Sequence, residues 1–194
     1  MTGGAARPEV WLARHGETEW SRDMRHTGHT DIELTERGRE QAREIGDALG
    51  GRRFARVITS PLARAAETCR LAGLAEAAEP SDALLEWDYG DYEGLTTAKI
   101  REDRPGWVLW RDGCPGGETA AEVGARVDPL VAELRDAPGD VALFGHGHAL
   151  RVLAARWLGL PPTDGALLAL DTATLSTLGW ERETPVLRRW NASP

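Results

Sequence analysis

Three short apolar runs in this chain each end in a turn of chemically active residues. Val10-Trp11-Leu12-Ala13 leads into Arg14-His15-Gly16, Arg56-Val57-Ile58-Thr59 into Ser60-Pro61-Leu62-Ala63-Arg64, and Val141-Ala142-Leu143-Phe144 into Gly145-His146-Gly147. Runs of this length bounded by turn residues are expected of strands buried on both faces. Parallel strands present their carboxyl ends along one edge of the sheet, where ligands bind. The three turns are therefore expected in one crevice, bringing two histidines and two arginines together. That crevice suits a phosphoryl group with a nucleophile beside it.

Between these runs the apolar spacing is helical. Thr35 to Leu49 reads as a helix with Ala42, Ile45 and Leu49 on one stripe and Gly50-Gly51 ending it. Ser60 is expected to cap the next helix, with Pro61 in its first position and Leu62, Ala65, Cys69 and Ala72 on its apolar side. Thr119 and Glu122 form a capping-box pattern ahead of a stripe running from Val123 to Leu134. A further helix is expected from about His148 to Leu158. Segments near Ala166 to Leu170, Thr174 to Gly179 and Pro185 to Trp190 look like closing strands. The alternation implies an α/β fold: a three-layer sandwich with a mostly parallel central sheet and helices on both faces.

At 194 residues the chain fits a single domain, 1–194, with an irregular insertion at about 81–117 that is rich in Trp, Tyr, Gly and Asp. Its formal charge of −8 and lack of a basic stretch argue against nucleic acid. No apolar run approaches membrane-spanning length, and Met1 to Pro8 lack the apolar stretch of a signal peptide. Cys69 and Cys114 stand apart, as reduced thiols of a cytoplasmic protein would. Lys99 is the only lysine, so abundant arginine makes any one arginine weak support for a role.

The candidate residues lie around those turns. His15 and His146 each follow a buried strand, and Gly16, Gly145 and Gly147 permit close backbone approach to a ligand. Arg14 and Arg64 carry planar donor forks suited to phosphate oxygens, and Arg64 falls in the first turn of its helix. A proton donor for the leaving oxygen is also needed. Glu86 is the best candidate, with Asp88 and Glu93 as competitors. Trp20, Trp87, Trp107 and Trp110 are candidates for the pocket wall or for the core. A metal site built on His146 with His148, or on His26 with His29, is disfavoured. Arg14 and Arg64 would repel a dication, and no carboxylate cluster accompanies the histidines.

With these residues in place, the chain resembles the histidine phosphatase superfamily, which includes cofactor-dependent phosphoglycerate mutases and many acid phosphatases. The matching stretches are Leu12–Trp20, Thr27-Gly28, Leu34–Gly38, Thr59–Thr68, Glu86–Gly94, Pro115–Thr119 and Gly145–His148, in the family's order and spacing over roughly residues 9 to 180. The resemblance implies a phosphoglycerate mutase-like fold and a role for each matched residue. His15 would become phosphohistidine. Arg14, Arg64 and His146 would hold the phosphoryl oxygens. Glu86 would begin protonated, give its proton to the leaving group and then take one from water. Ser21, Thr27, Gly28, Tyr89 and Gly147 would lie in the phosphate and substrate site. Many mutases carry Asn where this chain has Ser21, which weakens a mutase-type substrate contact.

The activity expected from this is hydrolysis of small phosphorylated metabolites, with no cofactor or metal. Two guanidiniums beside His15 disfavour its protonated form and stabilise the equatorial oxygens of a loose transition state, so an acidic to near-neutral optimum is expected. A mutase must shield the phosphoenzyme from water. Family mutases are generally longer, and here the chain ends soon after its last expected strand, which favours hydrolysis. Mutase-type phosphoryl transfer remains the alternative, and a non-catalytic phospholigand-binding module is an alternative of another kind. A homodimer is plausible from the family.

Overall fold

In the computed structural model, which describes residues 7–194, six strands form one sheet. They are β1 (Val10–Arg14), β2 (Arg56–Thr59), β3 (Ala78–Pro80), β4 (Val141–Gly145), β5 (Leu175–Glu181) and β6 (Thr184–Ala192), in the order β3-β2-β4-β1-β5-β6. The first four strands in that order are mutually parallel, β5 runs antiparallel to β1, and β6 runs antiparallel to β5. The α-helices among the described residues are α1 (Glu19–Arg22), α2 (Glu36–Leu49), α3 (Ala63–Leu71), α4 (Thr97–Asp103), α5 (Leu109–Asp112), α6 (Ala120–Arg135) and α7 (Gly147–Trp157).

Strand side chains alternate between faces, and this sheet therefore separates two cores. Val10, Leu12, Ile58, Val141 and Leu143 pack with the apolar stripes of α6 and α7. Trp11, Ala13, Val57, Ala142 and Phe144 pack with Ile45 and Leu49 of α2 and Cys69 of α3. This is the expected three-layer α/β architecture.

Register brings the turns together. Arg14 pairs with Gly145, and Thr59 pairs with Phe144. The ladder continues past the strand ends: His15 N donates to Gly145 O at 3.0 Å, and Ser60 N donates to Phe144 O at 2.8 Å. The turns after β1, β2 and β4 thus lie side by side at the carboxyl edge.

Several local expectations need correction. Helix α3 begins at Ala63, with Leu62 rather than Ser60 at its N-cap; Ser60 Oγ accepts from Leu62 N at 3.3 Å, in the turn ahead of the helix, and lies 2.7 Å from His146 Nε2. Ala166–Leu170 forms no strand; a 3₁₀ turn over Pro162–Leu167 packs on α7, with the carbonyls of Gly165 and Ala166 accepting from Arg151. Strand β3 carries no apolar run of its own and exists through pairing with Val57–Thr59. The irregular stretch holds α4, α5 and two 3₁₀ turns, and it contributes Leu84, Trp87, Tyr89, Ile100, Trp107 and Leu109 to the larger core. The capping box at Thr119 and Glu122 is formed. No described helix is long and apolar enough to cross a membrane. The expectation for Met1–Pro8 lies, as far as Ala6, outside the described residues.

Candidate active site

His15 leaves β1 into a turn that only glycine fits. A Cβ on Gly16 would stand 2.3 Å from Gly38 O. The imidazole is 4% exposed, and its Nδ1 lies 2.7 Å from Gly16 O. A carbonyl only accepts, so Nδ1 carries the proton and Nε2 keeps a free lone pair. Burial, followed by Arg64 and Arg14, holds His15 well below the ordinary histidine value. The ring is therefore neutral at physiological pH.

Arg14 Nη1 donates to Leu170 O, while its buried Nε has no partner among the described residues. A buried donor is rarely left unmade. An oxyanion in the adjoining cleft would complete it. Gly147 packs on the same guanidinium: a Cβ there would lie 3.1 Å from Arg14 Cζ.

Arg64 and His146 are fully buried. Arg64 Nη1 donates to Thr30 O at 3.0 Å, and Nη2 to Gly28 O at 2.8 Å and Thr27 O at 3.2 Å. Its Nε donates to His146 Nδ1 at 3.2 Å. Since Nδ1 accepts, Nε2 of His146 is protonated and donates to Ser60 Oγ at 2.7 Å. Burial and then Arg64 keep His146 neutral, and the two catalytic-candidate rings stand 5.2 Å apart at a 59° tilt. Neither Arg64 nor His146 lines the cleft described below. Their hydrogens go to protein partners, apart from one Nη1 hydrogen of Arg64.

Glu86 is 5% exposed and reaches the start of α7. Its Oε1 accepts from Trp87 N and Ala149 N, both at 2.9 Å, and its Oε2 accepts from His148 N at 3.0 Å. The carboxylate thus caps α7, whose N-cap residue His146 makes no side-chain cap bond. Oε2 takes one bond where Oε1 takes two, leaving a lone-pair position for a proton.

A cleft of about 260 Å³ opens onto Arg14, His15, Glu86 and Tyr89, with Ser21, Thr27, His26 and His148 around them. Ser21 Oγ is engaged locally with Thr18, and Thr27 Oγ1 donates to Arg25 O. Gly28 lies outside the cleft: its N–H is taken by Glu93 and its carbonyl by Arg64, so it ties loops together instead of facing a ligand. Asp88 Oδ1 accepts from Gly90 N, and neither Asp88 nor Glu93 lines the cleft. Tyr89 OH is 2.7 Å from His148 Nδ1. The four tryptophans are not wall residues: Trp87 and Trp107 are buried, Trp110 packs edge-on to Trp87, and Trp20 lies beneath Arg25.

His26 and His148 were left without roles by the sequence, and both line the cleft. The signal was present: His148 stands two residues after His146, and every histidine falls near a motif. Burial lowers His26 to about 4. Ser60, read as a helix cap, is instead the partner of His146. Among the described residues no three His, Cys, Asp or Glu side chains gather as a metal-ligand set.

A buried neutral imidazole beside two arginines and a capping carboxylate defines a phosphoryl-transfer type of site, and residues 10–193 match the histidine phosphatase superfamily, branch 1. The chain belongs to that family. It is 44% identical to an acid phosphatase of Mycobacterium tuberculosis over 182 residues, covering 92% of this chain and 89% of that one. Sedoheptulose 1,7-bisphosphatase of Saccharomyces cerevisiae is 36% identical over 186 residues, covering 79% and 68%. The solved structure of an open-reading-frame product from M. tuberculosis superposes with a TM-score of 0.90 at 42% identity, covering 96% and 98%.

Proposed function

We propose that this phosphatase-family enzyme hydrolyses phosphomonoesters of small metabolites through a phosphohistidine on His15. The observation that carries the proposal is the Nδ1 contact to Gly16 O, which leaves a neutral Nε2 lone pair in a cleft shared with Arg14 and Glu86. In the first step Nε2 forms a bond to phosphorus as the ester P–O bond breaks, and Glu86 supplies the leaving oxygen with a proton. In the second, water gives a proton to Glu86 and its oxygen attacks phosphorus. The N–P bond breaks, releasing phosphate and restoring His15. Arg14 supports the equatorial oxygens through its unpartnered Nε. Arg64 acts from behind, depressing the proton affinity of His15. The phosphatase names of the relatives favour water as the acceptor.

A metal-dependent reading fits poorly, since both ring nitrogens of His146 are engaged by Arg64 and Ser60. The test is a phosphate-release screen across sugar, polyol and aryl phosphates beside a mutase assay with 2,3-bisphosphoglycerate. Free phosphate without isomerised ester is expected. His15→Ala should lose roughly 10³-fold or more in kcat/KM, together with the acid-labile adduct. Isomerised ester with little phosphate release would reassign the reaction to a mutase. Near-normal turnover by His15→Ala would overturn the mechanism.

A further inference from the structure

The Tyr89–His148 pair lies in the cleft, and the chemistry above does not use it. Tyr89 is 2% exposed, and its hydroxyl lies 2.7 Å from Nδ1 of His148. A phenol is a better donor to an imidazole lone pair than an acceptor from a neutral ring N–H, so Tyr89 donates, Nδ1 accepts, and the ring proton of His148 resides on Nε2. Burial pushes Tyr89 well above its ordinary value and His148 well below its own, so both stay neutral. The opposite edge of the imidazole is the one left free, and its side chain keeps 23% exposure.

The ring is also clamped. Trp87 and Tyr89 meet it edge-on at 79° and 81°, and Trp110 lies 5.4 Å away. Its backbone N–H is held by Glu86 Oε2. A donor with fixed tautomer and orientation, next to the carboxyl group that serves the leaving oxygen, is preorganised for a leaving group.

We propose that His148 Nε2–H binds an oxygen of the leaving group beside the ester oxygen, and that Tyr89 is the positioning residue that fixes this tautomer. The ligand class is a polyol or sugar phosphate, which carries a hydroxyl or ring oxygen on the neighbouring carbon. An aryl phosphate such as p-nitrophenyl phosphate lacks one. The inference rests on the phosphatase reading of the cleft, but its first test does not depend on turnover.

Nitrogen-15 NMR of the histidine rings should place the His148 proton on Nε2 in the wild type, and Tyr89→Phe should move the ring toward the other tautomer. Adding glycerol 3-phosphate should shift the His148 Nε2 resonance in the wild type. In kinetics, His148→Phe should raise KM for glycerol 3-phosphate about tenfold more than for p-nitrophenyl phosphate, the loss of roughly one hydrogen bond. His148→Gln, whose amide nitrogen reproduces the Nε2 donor, should recover most of that difference. A proton on Nδ1 in the wild type would overturn the proposal. So would equal losses on both esters, or His148→Gln matching His148→Phe. If no ester turns over in the wild type, the hydrolytic reading fails, and the tautomer and the glycerol 3-phosphate shift still decide the role of His148.

Discussion

Lowering the pH below 6.5 should destabilise this protein steeply, because four histidines are held neutral in the folded state: His15, His26, His146 and His148. Each has a folded pKa below its unfolded value. The unfolded chain therefore takes up protons first as the pH falls. The stability that depends on these rings is complete above about 6.5 and declines as the pH drops toward the folded values, of which that of His26 is about 4. One withheld proton corresponds to about 1.4 kcal/mol per pH unit, so four rings, all still neutral when folded, approach a slope of about 5.6 kcal/mol per unit well below 6.5. At pH 5 His26 alone, at about 4 when folded against an ordinary 6.5, removes about 2 kcal/mol, and the other three rings, also depressed, act in the same direction on a domain whose whole stability is typically about 5–15 kcal/mol. Denaturant unfolding followed between pH 7.5 and 5 measures the slope directly. His26→Phe should reduce it by about one proton, or about 1.4 kcal/mol per unit. Unfolding free energies that stay flat from pH 7 to 5.5 would show that these rings protonate in place, refuting the neutral-imidazole description on which the nucleophile depends.

Two further substitutions probe the frame of the site. Arg64→Met removes a buried cation that serves three carbonyls and His146; it should cost about 3–5 kcal/mol in chemical denaturation, and it should move the acid limb of kcat/KM to higher pH as His15 loses one of the charges that depress it. Gly16→Ala drives a methyl against Gly38 O and should lower stability by about 1–3 kcal/mol, read as a fall in Tm, with activity lost as the His15 turn shifts.

Much of the sheet was legible because its strands are short apolar runs flanked by turn residues, and their alternation distributes Val10, Leu12 and Trp11, Ala13 to opposite cores. Helix α6 was equally clear, since a Thr119–Glu122 capping box depends on residues three apart. Strand β3 was not, because Ala78–Pro80 has little strand character until β2 pairs with it. Ala166–Leu170 misled for the opposite reason: its apolar residues cover a helix rather than joining a sheet.

The site divides along the same line. Strand ends and glycine turns, which are local signals, were enough to mark His15, Arg14, Arg64 and His146 as members of one cluster, whereas Glu86, outside those turns, rested on the family resemblance. Which of them faces the cleft and which stands behind it depended on partners distant in sequence. Arg64 is turned to carbonyls 34 to 37 residues earlier, His146 to a serine 86 residues earlier, and Glu86 to amides 62 and 63 residues later. Those hydrogen bonds exist only once the sheet has aligned its carboxyl ends, since no local pattern records where a buried donor will find its acceptor.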